Sequence, residues 1–152
     1  MRYAPVLVLS AVLFGCSRTA SDAPPVVHYG RDECAHCGMI VSDERYAAAL
    51  RVEQDGGAPD LVFDDIGDML DYRRNKGASI HVIRLYVHDF TTKQWMDASK
   101  AVFVKSEDVH SPMGSGIIAA GDGTGGEALR AKFGGKVLSF SEITATSELA
   151  AK

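Results

Sequence analysis

The 152-residue sequence predicts an α+β protein: two small ββαβ modules packed together, preceded by a lipoprotein signal and a flexible tether. Three observations carry this expectation. Short runs rich in β-branched and aromatic residues, closed by Gly, Pro, Asn and Asp, read as strands. One stretch of helical spacing falls between strands in each half, so the order β-β-α-β is read twice, in element order rather than in residue identity. An apolar run at the amino terminus stops at a cysteine and gives way to small polar residues and proline.

Residues 1–15, MRYAPVLVLSAVLFG, form the expected signal peptide, because Arg2 precedes an apolar run from Val6 to Phe14 that is too short to span a bilayer comfortably. Leu13-Phe14-Gly15-Cys16 resembles a bacterial lipobox, in which the cysteine becomes the diacylated first residue, so Cys16 is the candidate for lipidation. Ser17 stands where an aspartate would resemble an inner-membrane retention signal. That favours the outer membrane over the inner for a periplasm-facing anchor. Residues 16–25 have the small, polar, proline-ended composition of a tether.

The first module is expected over residues 26–95. YAAALRVEQ (46–54) reads as a strand closed by the turn DGGAP, with DLVF (60–63) as its hairpin partner. Asp64 and Asp65 can cap the helix that follows, where Ile66, Met69, Leu70 and Arg73 fall at helical spacing and Asn75 to Gly77 stops it. IHVIRLYVHDF (80–90) reads as a long strand. The second module, 96–145, repeats the order with strands AVFVK (101–105) and GIIAAG (116–121), a helix GEALRAKFGG (126–135) and a strand KVLSF (136–140), leaving 146–152 as a tail. GDGTGG (121–126) lacks the Lys-Ser/Thr ending of a Walker loop and the spacing of a dinucleotide fingerprint, and reads as a flexible turn. Neither half would bury a large core alone, so the two are expected to pack together.

With 46% apolar and 24% charged residues, the composition is that of a globular protein rather than a disordered chain or a multi-span membrane protein. The net charge of −4 argues against nucleic acid as a partner. Once Cys16 is assigned to the anchor, two cysteines remain, both in DECAHCGMIV (32–41). A thioredoxin-type pair would need a preceding strand and a helix start to lower the thiol pKa. A structural zinc site would need four ligands, and no second CxxC or HxxxH is present. A copper(I) site needs only two or three soft donors, and Cys34, Cys37 and Met39 supply them.

Met113 lies in HSPMGSG (110–116), a proline- and glycine-bounded loop where a long apolar side chain has little reason from packing; Met69 on the helix stripe reads as core. His36, His88 and His110 are candidates for a weaker ligand or a supporting hydrogen bond. No nucleophile elbow or HExxH helix appears, and capping accounts for Asp64, Asp65 and Asp68, so no catalytic residue is assigned and the protein is not expected to be an enzyme.

Taken together, LFGC, DECAHCGMIVSD (32–43), YVHDF (86–90), WMDASKAVFV (95–104), PMGSG (112–116) and KVLSFSEI (136–143) resemble one family across nearly the whole chain: NosL, the copper-binding lipoprotein accessory to nitrous oxide reductase. The resemblance implies a lipid-anchored, periplasm-facing metallochaperone that binds copper(I) and passes it towards the copper centres of the apo-reductase, with ABC-transporter components as partners. Cys34, Cys37 and Met39 match the family's metal motif, and Met113 matches the methionine of its later loop. Which of the two cysteines binds copper stays open. The rival reading is a periplasmic thiol-disulfide oxidoreductase that uses Cys34 and Cys37 as its couple.

Overall fold

The computed structural model describes residues 22–149; the signal peptide, Cys16 and residues up to 21 lie outside the described residues. Strands β1 (Ala48–Val52), β2 (Asp60–Phe63), β3 (Val82–His88) and β4 (Trp95–Asp97) form one antiparallel sheet in the order β2-β1-β3-β4, with helix α1 (Ile66–Lys76) between β2 and β3. Strands β5 (Val102–Lys105), β6 (Ile117–Ala120) and β7 (Lys136–Ser139) form a second, ordered β6-β5-β7, with α2 (Gly123–Phe133) between β6 and β7 and α3 (Phe140–Leu149) after it. In both sheets the first strand is central, the second strand flanks it on one side, and the strand after the helix flanks it on the other. The doubled ββαβ order is therefore real. Among the described residues no helix is long and apolar enough to cross a membrane.

The β1–β2 hairpin pairs Ala48 with Phe63 and Arg51 with Asp60 around the expected turn. Asp65 is extended at φ −144° and accepts the Gly67 N–H at 2.7 Å, which starts α1; Gly77, at φ +48°, returns its N–H to Arg73 and ends it. Alternation along β5 sends Phe103 and Val104 to opposite faces. Phe103 joins Leu50, Phe63, Ile66, Met69, Val87, Ile117 and Ile143 in a core shared by both modules, while Val104 packs with Ile118, Ala120 and Leu129 beneath α2. Burial of each such side chain is worth about 1.5–3 kcal/mol, so the shared core binds the modules strongly. Met69 lies in it, as its helical position implied.

Four expectations are corrected. The junction at 95/96 falls inside β4, whose three residues pair with β3 and are too few to show a period. The turn at 121–126 is instead the first turn of α2: Asp122 caps it by accepting the Gly125 N–H at 2.8 Å. Gly126 is required there, since a Cβ would sit 2.7 Å from Val102 Cγ1. The supposed tail from 146 continues α3 to Leu149, anchored by buried Ile143. Finally, the tether's end belongs to the body. Pro25 is buried, and the Ala23 carbonyl accepts from Arg51 Nη1 at 3.0 Å. Arg51 in turn forks onto Asp60 at 2.8 and 2.7 Å.

Candidate metal centre

The segment carrying the cysteines folds into a tight loop closed by an antiparallel bridge between Glu33 and Ile40. Inside it the Cys34 N–H donates to the Met39 carbonyl at 2.7 Å and the Gly38 N–H to the Cys34 carbonyl at 2.9 Å. Gly38 adopts φ +74°, a conformation that only glycine takes at little cost, and this returns the chain after Cys37. The Ala35 N–H donates to the Val62 carbonyl at 2.8 Å, seating the loop on β2. Cys34 is thereby buried, Cys37 half-buried, and both are free thiols.

From below, the start of α1 brings up two carboxylates. Asp64 lies in the bend just before the cap and Asp68 in the first turn, and both are buried. The Cys34 thiol donates to Asp68 Oδ2 and the Cys37 thiol to Asp64 Oδ1, each at 3.6 Å. One ligand atom from each of the four residues lies within 4.8 Å of the others, close enough for all to meet one ion. Burial pushes the Cys37 thiol up to about 12; nearby Cys34 and Asp68 add to the rise, and the Met39 N–H opposes it. Burial also raises Asp68, with Asp64 adding to it and the thiols and His36 working against it. Four acidic groups this close cannot all ionise without a cation, so protons hold the metal-free site together.

The two methionines expected to assist are both exposed. Met39 is 55% exposed beside Cys37, and Met113 is 41% exposed on the 110–116 loop, with its N–H donating to Asp65 Oδ2 at 3.1 Å. The histidines separate. His36 is exposed, its ring edge-on to Tyr72, and close enough to Asp68 to favour that carboxylate's charge. His110 is exposed and lines a cleft of about 1030 Å³ with Lys105, Asp108 and Lys136. His88 is buried against Trp95 and uses both nitrogens: Nδ1 donates to the Lys93 carbonyl at 2.9 Å, so Nε2 accepts from the Tyr29 hydroxyl at 2.7 Å. It braces the chain leading into the cysteine loop.

A family model described as NosL matches residues 25–147. The chain belongs to the NosL family. The copper-binding lipoprotein NosL of Stutzerimonas stutzeri is 28% identical over 148 residues, spanning 90% of this chain and 76% of that protein. The crystal structure of the copper chaperone NosL from Shewanella denitrificans has the same fold at a TM-score of 0.60 and 21% identity, covering 78% of this chain and 96% of that one.

In this NosL-family chain, sequence reasoning missed Asp64 and Asp68 as members of the site. Capping explained all three aspartates, yet only Asp65 caps. No signal in the sequence separated them, since Asp64 stands just before the cap and an acid at Asp68 already suits the first turn of a helix. The donor set is also fuller than the CxxC alone promised: two thiols suit a soft ion such as copper(I), and two added carboxylates make four donors that a borderline divalent ion such as zinc can also use. Any bound cation replaces the protons that the thiol–carboxylate pairs now share.

Proposed function

We propose that this protein is a metallochaperone that takes copper(I) as cargo on Cys34 and Cys37, with methionine sulfur from Met39 and Met113 at the rim. Held at the periplasmic face by a lipid on Cys16, in the outer membrane, it delivers the ion for maturation of the copper centres of nitrous oxide reductase, alongside ABC-transporter components. The observation that carries the reading is the four-donor pocket, in which two thiols and two carboxylates meet within 4.8 Å. The printed names of the two relatives, a copper-binding lipoprotein and a copper chaperone, support copper as the cargo. The site's placement supports a carrier over a thiol oxidoreductase. A reactive thiol needs a lowered pKa, whereas burial drives Cys37 the other way, and no helix begins at Cys34.

Soft donors at an open rim hold copper(I) against water while leaving a position that an incoming sulfur or imidazole can enter. Anaerobic titration with copper(I) against a competing chelator tests this, using the protein without residues 1–16, its Cys37→Ser and its Met113→Leu variants. Tight binding weakened by both changes is expected. A wild type that cannot compete, yet forms a stable reversible Cys34–Cys37 disulfide, would hand the site to thiol exchange.

A further inference from the structure

Asp65 is wholly buried and accepts from four donors. Its Oδ1 takes the Gly67 N–H at 2.7 Å and the Ser115 hydroxyl; its Oδ2 takes the Ser111 hydroxyl at 2.6 Å and the Met113 N–H at 3.1 Å. Capping a helix uses the first of these. The other three come from the second module, 46 to 50 residues along the chain. Gly67 lets the loop rest directly on the first turn of α1, for a Cβ there would sit 2.4 Å from Ser115 Cβ. That same turn carries Asp68, which holds the Cys34 thiol, and Asp64 just before the cap holds that of Cys37. The start of α1, from Asp64 to Asp68, therefore grips the cysteine loop on two side chains and the Met113 loop on a third.

We propose that Asp65 is a positioning residue that latches the 110–116 loop to the thiol pocket, holding Met113 as the gate through which the metal leaves. This rests on the carrier reading above. Capping alone would be served as well by asparagine, without a buried charge. The loop needs more: a carboxylate accepts on both oxygens, while an amide offers one acceptor and a donating NH2 group. In Asp65→Asn the amide oxygen can keep the Gly67 N–H, and the NH2 then faces the Met113 N–H, donor against donor. The cap survives and the latch fails.

The test uses the full chain in detergent micelles with two readouts: hydrogen exchange at the Met113 amide of the metal-free protein, and the rate of copper(I) loss to excess chelator. In Asp65→Asn, Met113 exchange and copper loss should each rise about tenfold, the scale of one lost hydrogen bond to a charged group, while protection at Leu50 holds. Met113→Leu should speed copper loss similarly, and the double variant no further than either alone. Faster exchange without faster copper loss overturns the proposal; so do an additive double variant and an absence of change in both readouts. If Asp65→Asn does not fold, Ser111→Ala with Ser115→Ala keeps the cap, removes two of the loop's three donors, and must move both readouts in the same direction. If the wild type fails to hold copper(I), the carrier reading falls separately. The latch is then read from alkylation of Cys37 in the metal-free protein, where about tenfold acceleration in Asp65→Asn supports it and an unchanged rate overturns it.

Discussion

Replacing Asp68 by asparagine should move the affinities for two metals in opposite directions. Asp68 is buried, accepts the Cys34 thiol at 3.6 Å, and has an oxygen within 4.8 Å of the Cys37 sulfur. A thiolate and a carboxylate at that separation repel by about 3.5 kcal/mol at an effective dielectric near 20. Cys37 is only half-buried, so solvent screens part of that repulsion; about 1–2 kcal/mol should be recovered when the charge is removed. The midpoint for Cys37, pushed up to about 12 in the wild type, should fall by about one pH unit, since 1.36 kcal/mol corresponds to one. Copper(I) must displace fewer tightly held protons and should bind about tenfold tighter at neutral pH. A divalent ion that uses the carboxylate loses a ligand and should bind more weakly. Thiolate absorbance followed against pH, with parallel chelator competitions for copper(I) and zinc, measures all three quantities. Copper(I) and zinc weakening together would refute the division of labour between thiols and carboxylates.

Further outcomes follow from the surroundings of the site. His88 has its pKa lowered, by burial above all, so the unfolded chain takes up the proton first; stability should be full above about pH 6.5 and decline as the pH falls below it, a slope that His88→Gln flattens in urea titrations across that range. Gly67→Ala forces the Ser115 loop away from α1 and should cost about 1–3 kcal/mol in thermal or denaturant unfolding, with faster copper(I) loss beside it. Met69→Leu and Met113→Leu should divide cleanly: the first, in the core, lowers stability by less than about 1.5 kcal/mol and leaves copper affinity alone, whereas the second, exposed on its loop, on the carrier reading weakens copper binding and leaves the unfolding midpoint alone.

How far the sequence could be read tracks where each signal resides. Strands and helices longer than about one period announced themselves: Ile66, Met69 and Leu70 on α1 and the run from Val82 to His88 all lie where their patterns put them. Elements fixed by tertiary partners did not. β4 is three residues that exist because β3 has a free edge, and α3 holds through Ile143 despite a sequence of Ser and Thr with little intrinsic helix preference. The glycines of α2 read as a turn because propensity says so, yet Gly126 is there for the close approach to Val102. At the site, the soft donors were legible because CxxC brings two of them within four positions. The carboxylates were not, because nothing in one sequence tells a capping aspartate from one turned to a thiol 27 or 34 residues away.

The same geometry explains why two modules serve where one would seem to suffice. The first module alone holds both thiols and both carboxylates, which on the carrier reading is enough to bind an ion and, with so much negative charge enclosed, poor at letting one go. The second module contributes the 110–116 loop, whose seat on the first is three hydrogen bonds to Asp65 rather than a packed core. A seat made of a few hydrogen bonds can open at a cost of a few kcal/mol, while the core beneath it, built from Phe63, Phe103, Ile117 and Ile143, stays shut. On the carrier reading, the thiols set most of the binding strength and the contact between the two halves sets release: a change at Cys37 alters how tightly the metal is held, and a change at Asp65 or Gly67, where the second module is seated, alters how readily it departs.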